Sequence, residues 1–600
     1  MFNGLVAYFA HWALKQLKRS FFLSGIFFKA LWARVMGRDV IFRCYGQHAY
    51  LHILSSQKND FELFVLAVEM NRTLGNKVGF DIKLDRVNFC YLEEIINYCL
   101  GAIGVRLINV NRGDADTSKT LFERYEALVS LLDRELAPVK MSLMIDDKDR
   151  DLIRKVFDSL ELKGKSFPGF KNDLSMVFNL LKDIKEQPHS TPTTNRYLSL
   201  LSEVLLLGPR QVVLDLYHRC NTDCVHCWIH SPVARKMLTQ QFAAEKLDFG
   251  TVKGIVDDCF ELGVDIITLL GDGEPILNPD FLKIVRYIKE RNPYIDVLTF
   301  SNGLTVTEKV SQELIKSGLN EIWFSVPAAS AEVYQKICPS KKARDFELIK
   351  KNIRYLCRLK NKVRDIVQRC GLEEKNKIIQ RCARVKTFPM HCVITFVLHQ
   401  LNYHEVVDMA KMAVELGVDE MRFQLIHLDK DNKWLQLDQK EVDFLNSKLQ
   451  EIRAVAQQSH VELGMALEFQ LSHMHAPTGD WSRGYYLKHG CPIGFFFSII
   501  KANGDVGLCC SLKVVDNVHQ KSFKEIWLSE RYHQARVGAK HLKDNKDQVF
   551  LPTGYHKDEA RGDYLYSERC ELCDNHDMNN EVIQCLSRVK LADPFKEQTS

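Results

Sequence analysis

The sequence lacks the features that mark several large classes of protein. It has only 18 cysteines in 600 residues, too few for a fold held together by disulfides. Its formal net charge is only +5, which neither indicates nor excludes a polyanionic partner. Hydrophobic residues make up 46% and charged residues 26%, a composition that excludes a disordered or fibrous chain. At roughly 150 residues per domain, we expect between two and four globular units.

Residues 1–38 contain no acidic residue and six basic ones, interleaved with aliphatic and aromatic side chains. The charges interrupt any apolar run of about 18 residues, so a transmembrane helix is not expected. A small-residue cleavage site is missing after the hydrophobic stretch, so no secretory signal is expected either. Two interpretations of this basic amphipathic segment stay open: a helix packed on its own domain, or a helix lying on a membrane surface. We expect a cytoplasmic protein, with membrane association through this segment as the alternative.

Short β-rich runs alternate with helical patterns in residues 39–185, which predicts an N-terminal α/β domain of unknown role. The predicted strands are Val40–Arg43, Val78–Lys83, Val105–Val110 and Lys140–Ile145. We find no catalytic motif in this region. Residues 186–196, EQPHSTPTTNR, are rich in proline, serine and threonine and are predicted to be a linker.

A longer strand–helix series follows, in residues 197–428. Its six predicted strands are Val212–Tyr217, Asp265–Leu270, Asp296–Phe300, Glu321–Val326, Val393–His399 and Asp419–Leu425. With right-handed helical crossovers, such strands form a parallel sheet or a partial (β/α)6 barrel. The active site of this α/β fold is expected at the carboxyl ends of the strands.

Residues 341–386 separate the fourth strand of this series from the fifth. They contain 16 Lys/Arg and 5 Asp/Glu, which predicts a helical insertion with a solvated basic face. The alternative is a surface for a phosphorylated substrate, a nucleic acid or an acidic reductant. Because only Phe346 and Tyr355 are aromatic there, a stacking platform for single-stranded nucleic acid is not expected.

Three cysteines follow the first strand of the series, in the segment YHRCNTDCVHCW: Cys220, Cys224 and Cys227. Where thiols are kept reduced, clustered cysteines indicate metal ligands rather than disulfides. Three thiolates on one loop can hold three irons of a 4Fe–4S cluster and leave the fourth iron open to another ligand. A structural zinc ion would need a fourth ligand, which His218 or His226 could supply, so zinc stays open as an alternative.

This spacing, placed directly after a barrel strand, resembles the radical S-adenosylmethionine (SAM) superfamily over Val212–Leu428. In that family the open iron binds SAM, and one electron from the cluster splits the sulfonium bond to give a 5′-deoxyadenosyl radical. The resemblance implies a radical SAM enzyme whose cofactors are a 4Fe–4S cluster and SAM. It also implies a reductant such as a flavodoxin or a ferredoxin.

The next strand end resembles the family's GGE-P turn. The second strand ends in GDGEP, Gly271–Pro275. Gly273 lets a backbone approach closely, and Glu274 offers a charge partner for the methionine ammonium of SAM. Asp272 stands where the family more commonly has glycine. The resemblance thus implies that Gly273 and Glu274 bind the cofactor.

Two further strand ends match the family in chain order. The third strand ends in Ser301-Asn302-Gly303, similar to the family's TNG-like turn, and the fourth ends at Ser325, its usual ribose-contacting position. The resemblance therefore assigns Asn302 and Ser325 to cofactor binding.

A second set of cysteines lies in residues 429–600: Cys491, Cys509, Cys570 and Cys573. Four thiolates can fully ligate an auxiliary cluster, and Asn503-Gly504 predicts a β-hairpin between the first two. The pattern resembles the auxiliary-cluster domain called SPASM, in its shortened one-cluster form called "twitch", which implies a second 4Fe–4S cluster. Two alternatives stay open: a four-cysteine zinc site, and Cys510 in place of Cys509.

Seven other cysteines lack ligand spacing and are expected to be packing residues: Cys259, Cys338, Cys357, Cys370, Cys382, Cys392 and Cys585.

The resemblance implies abstraction of hydrogen from a small molecule, a carbohydrate or a peptide. Two other functions stay open. One is a non-catalytic iron–sulfur scaffold or regulator that binds SAM without turnover. The other is a radical SAM enzyme that modifies a nucleic acid, an idea that rests only on the basic segment 341–386.

Overall fold

The computed structural model describes four N-terminal strands and most of the chain from residue 194 onward. The described ranges are 40–45, 78–84, 107–112, 140–143 and 194–587, the last without 206, 235–241, 243, 371–386, 465, 512 and 551–563. The chain forms two compact units, one made of Met1–Asp183 and Ser202–Leu206 and the other of Ile184–Leu201 and Leu207–Ser600.

The first unit contains a four-stranded, fully parallel sheet in the order β1-β2-β3-β4. Its strands are β1 (Val40–Tyr45), β2 (Val78–Leu84), β3 (Leu107–Arg112) and β4 (Lys140–Leu143). Each predicted strand overlaps an observed one. The helices predicted between them, and residues 1–38, lie outside the described residues.

The second unit is built on one ten-stranded sheet in the order β11-β10-β9-β8-β7-β6-β5-β12-β13-β14. The strands are β5 (Gln211–Asp215), β6 (Ile266–Leu270), β7 (Asp296–Ser301), β8 (Glu321–Ser325), β9 (His391–Leu398), β10 (Glu420–Leu425), β11 (Glu462–Leu463), β12 (Phe497–Ile500), β13 (Asp505–Gly507) and β14 (Val514–Asn517). All pairs from β5 to β11 are parallel. The six predicted strands are therefore neighbours in one sheet, and their carboxyl ends lie along the same edge.

The first helix precedes β5, several helices cross over between the parallel strands, and others follow β10. They are α1 (Thr194–Ser202), α2 (Phe249–Leu262), α3 (Phe281–Arg291), α4 (Glu308–Ser317), α5 (Ala331–Ile337), α6 (Ala343–Arg369), α7 (Val406–Leu416), α8 (Gln439–Ser459), α9 (Ala466–His473), α10 (Tyr485–His489), α11 (Phe523–Leu528), α12 (Glu530–Lys540), α13 (Leu542–Asn545) and α14 (His576–Ser587). Local signals fix their ends: α2 begins after Asp248, whose side chain accepts from the Thr251 N–H, and stops at Gly263 with φ +80°. Helix α1 begins at Thr194, inside the segment 186–196 that was expected to be a linker.

Residues 343–369, in the segment predicted to be a helical insertion, form a helix that together with α5 connects β8 to β9. One face of α6 is buried and includes Phe346, Ile349 and Ile353. A parallel connection needs such a crossover, and its basic residues can face solvent on the other side. The rest of the expected insertion, residues 371–386, lies outside the described residues.

The C-terminal region joins the same sheet. Strand β12 pairs in parallel with β5, and β13 pairs antiparallel with β12 across the predicted hairpin turn at Asn503-Gly504. Gly504 has φ +89°, a left-handed conformation that favours glycine. The boundary expected at residue 428 therefore lies within one compact unit.

Within the described part of the chain, the helices are all too short or too polar to span a bilayer.

Candidate functional site: two sets of cysteines

The cysteine loop, residues 216–231, follows β5 at the carboxyl edge of the sheet. The thiols of Cys220, Cys224 and Cys227 lie close enough for the charge of one to raise the pKa of the others. Burial is the larger effect, and it raises the pKa of Cys227 to about 12. The Cys220 Sγ hydrogen-bonds with the Thr222 hydroxyl at 3.1 Å, and the His230 N–H donates to the Cys227 Sγ at 3.2 Å. The structure thus brings the three predicted ligands together.

A fourth cysteine lies beside this loop. Cys338, at the end of α5, has its Sγ 3.3 Å from the Cys224 Sγ, and this hydrogen bond lowers the pKa of Cys224. The Val225 N–H also donates to the Ile337 carbonyl at 2.8 Å. Cys338 is buried, as a packing residue would be, but its position at the loop gives it a second role as a hydrogen-bond partner of a proposed ligand. No sequence spacing could have indicated it.

The three loop thiols are not all as close to one another as the ligands of a single zinc ion would be. Thiolates on one tetrahedral zinc lie roughly 3.8 Å apart, since each Zn–S bond is about 2.3 Å. Among the described residues, two groups of three ligand-type side chains have all donor atoms within 4.8 Å, and neither contains a cysteine. His218, a suggested zinc ligand, is hydrogen-bonded at both ring nitrogens, to Asp215 and to the Phe242 carbonyl. The wider spacing leaves room for a polynuclear cluster.

The GDGEP turn after β6 is hydrogen-bonded to the cysteine loop. The N–H groups of Gly273 and Glu274 donate to the carbonyls of Tyr217 and Arg219 at 3.1 and 2.8 Å. A Cβ on Gly273 would lie 2.1 Å from the Arg219 carbonyl oxygen, so only glycine fits there. The close backbone approach predicted for Gly273 is therefore observed, with the cysteine loop as the neighbour.

Glu274 connects this turn to the next strand end. Its carboxylate accepts from the Ser301 hydroxyl at 2.9 Å and from the Asn302 N–H at 2.8 Å. The side chain is buried, which raises its pKa to about 7. The Asn302 side-chain amide donates to the Asn221 side-chain oxygen at 2.6 Å and lies 4.0 Å from the Cys220 Sγ. Predicted residues from three strand ends thus form one hydrogen-bonded group around Cys220.

Ser325 ends β8 at the same edge of the sheet and is exposed there. Its position allows a ligand contact, although its side chain is not hydrogen-bonded to the other predicted residues that the structure describes.

Two histidines that the sequence pattern did not single out as a pair, the half-buried His226 and the buried His399, face each other near the third cysteine. The rings of His226 and His399 have centroids 5.2 Å apart. Burial lowers the pKa of His226 to about 4 and that of His399 well below its ordinary value, so both imidazoles are neutral. The His226 Nδ1 and the His399 Nε2 have no hydrogen-bond partner among the described residues. They are available to a bound molecule.

The C-terminal cysteines line one cavity. Cys491 precedes the turn Pro492–Phe495, Cys509 follows β13, and Cys570 and Cys573 lie just before α14. Burial raises the pKa of Cys491, Cys570 and Cys573, and the charges of neighbouring thiols raise it further. The structure therefore brings together four predicted ligands from segments far apart in the sequence.

Cys510 lines the same cavity, but its contacts differ. Electrostatic interactions join each of the four predicted thiols to the other three. For Cys510, burial raises the pKa most, followed by the charges of Asp574 and Cys509, and its N–H donates to the Asn575 side-chain oxygen at 3.2 Å. This arrangement favours Cys509 over Cys510 as the fourth member of the set.

Comparison with known proteins agrees with this arrangement. Residues 214–413 match the family model described as "Radical SAM superfamily", and residues 491–550 match "SPASM: Iron-sulfur cluster-binding domain". The first range contains the cysteine loop and the three following strand ends. The second contains Cys491 and Cys509, while Cys570 and Cys573 lie beyond it.

Curated relatives and a solved structure were also found. The AdoMet-dependent heme synthase of Methanosarcina barkeri is 24% identical over 53% of this chain and 82% of that protein. The PqqA peptide cyclase of Gluconobacter oxydans is 21% identical over 54% of this chain and 76% of that protein. Streptococcus suis SuiB bound to S-adenosylmethionine matches with a TM-score of 0.42 and 12% identity, over 72% of this chain and 80% of that one. The chain therefore carries a radical SAM domain followed by a C-terminal SPASM iron–sulfur domain, with SAM and 4Fe–4S clusters as its cofactors.

Proposed function

We propose that this protein cleaves SAM reductively at a cluster held by Cys220, Cys224 and Cys227, and uses the resulting radical to modify a peptide. One observation carries the first half of the proposal. The loop with the three cysteines and the turn with Glu274 are hydrogen-bonded to each other at the carboxyl edge of the sheet. This arrangement puts a buried carboxylate close to the Cys220 thiol, where it could bind the ammonium group of SAM.

A cluster held by Cys220, Cys224 and Cys227 would supply the one electron needed to split the sulfonium bond of SAM, and with it the radical chemistry that abstracts hydrogen from a substrate. The chain binds and orients the reactants. Three thiolates leave one iron open, Glu274 offers a negative charge for the methionine ammonium, and Ser325 is exposed for the ribose. The neutral imidazoles of His226 and His399 add hydrogen-bonding groups in a buried setting.

The second cysteine set is proposed to hold an auxiliary 4Fe–4S cluster on Cys491, Cys509, Cys570 and Cys573. These thiols are buried in one cavity, which suits a cluster that is shielded from solvent. Such a cluster can accept an electron from a substrate radical, or it can help to hold a substrate. A flavodoxin or a ferredoxin is the expected external reductant.

A peptide is the proposed substrate class, and its support is the similarity to a PqqA peptide cyclase over about half of the chain. One of the relatives that match about half of the chain is named as a peptide cyclase, while another is named as a heme synthase. In our proposal, the SPASM domain assists the modification of a peptide. A small-molecule substrate is the competing outcome of the test below.

The first test is SAM cleavage by the anaerobically reconstituted protein, measured as 5′-deoxyadenosine by mass spectrometry. Wild type should hold about eight iron atoms, for two 4Fe–4S clusters, and a variant with alanine at Cys220, Cys224 and Cys227 about four. That variant should form no 5′-deoxyadenosine. SAM binding without 5′-deoxyadenosine in the reduced wild type would indicate a non-catalytic scaffold instead.

The second test addresses the substrate. Cell extract should stimulate 5′-deoxyadenosine formation, and protease treatment of the extract should remove the stimulation if the substrate is a peptide. Stimulation that survives protease and passes through a small-pore filter would show a small molecule and overturn the peptide half of the proposal.

A further inference from the structure

Lys501 joins the C-terminal region to the turn that is proposed to bind SAM. It directly follows β12, and its side chain is only 4% exposed. Its Nζ lies 2.6 Å from Asp272 in the GDGEP turn and 2.7 Å from Asp215 at the end of β5. One ammonium group therefore contacts both the turn and the strand that leads into the cysteine loop.

The two carboxylates belong to a closed hydrogen-bonded network. Asp215 accepts the Asp272 N–H at 2.9 Å through one oxygen and contacts the His218 Nε2 at 3.2 Å through the other. His218 also lies 3.5 Å from Glu245. Burial disfavours a charged lysine, but the two aspartates outweigh it and raise the pKa of Lys501, so the ammonium stays charged.

Lys501 also interacts with a residue next to each set of cysteines. Its Nζ is 5.8 Å from the ring centre of Trp228, the residue directly after Cys227. Its charge also acts on the thiol of Cys510 in the auxiliary cavity. A single buried cation thus contacts the turn, the base of the cysteine loop and the residue after its last cysteine.

One partner of Lys501 is the aspartate of the GDGEP turn. A glycine in place of Asp272 would offer no charge to Lys501. Without the lysine, two buried carboxylates would be left close together with only the His218 ring between them in this network, which is unfavourable. The aspartate and the lysine therefore depend on each other.

We propose that Lys501 is a positioning residue through which the SPASM domain fixes the SAM-binding turn and the cysteine loop in their positions relative to each other. The inference rests on the proposed role of the turn in binding SAM. It adds a residue of the C-terminal domain to the site, with an action exerted through Asp272 and Asp215 rather than by contact with the cofactor.

The experiment is a double-mutant cycle on the reconstituted protein, with SAM affinity measured by calorimetry. Lys501→Met should weaken SAM binding at least tenfold with an unchanged iron content. The pair Lys501→Met and Asp272→Asn should bind SAM better than Lys501→Met alone, because one unpaired carboxylate is then removed. Lys521→Met is the matched control, since it removes an exposed ion pair with Asp516 in the same region and should leave the affinity unchanged.

The reduction potential of the SAM-binding cluster is a second readout. A purely structural role of Lys501 would not predict the changes in potential described next for the three variants. Lys501→Met leaves negative charge beside the cysteine loop, which disfavours addition of an electron, so the potential should shift to more negative values. The double variant should shift it back toward that of wild type. The potential should stay unchanged in Lys521→Met.

Three outcomes would overturn the inference: equal SAM affinity in Lys501→Met and Lys521→Met, strictly additive losses in the double variant, or an unmoved potential. If Lys501→Met does not fold, Asp272→Asn decides: it should weaken SAM binding with an unchanged iron content, and wild-type affinity in that variant would overturn the inference. A wild type that holds both clusters but does not bind SAM would reject the proposed function itself, and so differs from each of these results.

Discussion

The buried carboxylate of Glu274 shows how one side chain can serve both the fold and a ligand. Its two oxygens accept from the Ser301 hydroxyl and the Asn302 N–H, so it already connects two strand ends before any cofactor binds. An ionised carboxylate has lone pairs beyond these two bonds and can accept a further donor. Burial without a fixed cation is costly, and an ammonium group would offset part of that cost.

Glu274→Gln should weaken SAM binding by about 1.5–3 kcal/mol, because a charge-assisted contact to the ammonium is lost. The iron content should stay at the wild-type value, since no thiolate is changed. Calorimetry with SAM measures the effect, and Glu313→Gln, which alters a surface ion pair with Arg286, is the control. If Glu274→Gln and Glu313→Gln bind SAM equally well, GDGEP is only a structural turn.

Single residues also mark the limit of what the sequence could predict. The three cysteines of the loop were predictable because their spacing is local and their chemistry is specific. Cys338 and Lys501 were not, because each reaches the loop from a distant part of the chain, through α5 and β12. Contacts of this kind have no spacing signal, and only the fold brings them together.

At the scale of secondary structure, local pattern predicted the elements well. The six core strands were expected within a few residues of their observed bounds, because each is a short apolar run between a helix and a turn. The parallel α/β class was confirmed. The pairing of β12 with β5 was not predicted, since nothing within either strand encodes that neighbour. That pairing makes one sheet of two expected domains.

Helix α6 is anchored by one buried charge, which explains why so basic a segment packs on the sheet. The Lys360 side chain is fully buried and forms an ion pair with Asp419, the residue before β10. Asp419 also accepts the Cys392 N–H at 2.7 Å, so the same carboxylate holds the start of β9. One aspartate thus connects a crossover helix to two strands.

Lys360→Met should lower the free energy of unfolding by about 3 kcal/mol, because it leaves a partly buried carboxylate without its main partner. Lys351→Met on the same helix removes only an exposed contact with Glu308 and should change the free energy by less than about 0.5 kcal/mol. Urea unfolding followed by circular dichroism measures both. Equal midpoints for the two variants would show that the buried pair contributes no net stability.

At the scale of the whole molecule, the cysteine loop and the C-terminal set of cysteines are linked through a contact between residues that flank them. Arg569, directly before Cys570, lies over the ring of Trp228, directly after Cys227, with 5.2 Å from the guanidinium carbon to the ring centre. Strand β12 is held separately by its hydrogen bonds to β5. Loss of the auxiliary cluster should therefore loosen the segment around Cys570 while Lys501, next to β12, keeps its place.

Replacing Cys491 and Cys573 by serine separates the functions of the two clusters. Two thiols from distant segments are lost, so iron should fall from about eight atoms to about four. The region around Cys570 should then become sensitive to protease, because the metal no longer connects it to Cys491. Cys510→Ser is the matched control in the same cavity, and it should keep all the iron.

SAM cleavage should persist in this double variant, because the cysteine loop, Glu274 and the Lys501 network are unchanged. Modified product should be lost if the auxiliary cluster accepts the electron of the substrate radical. Both 5′-deoxyadenosine and product are measured in the same reaction. The ratio of 5′-deoxyadenosine to product should be much higher in the double variant than in wild type. A double variant with half the iron and an unchanged ratio would exclude the auxiliary cluster as the electron acceptor, and its cysteines would then have only a structural or substrate-holding role.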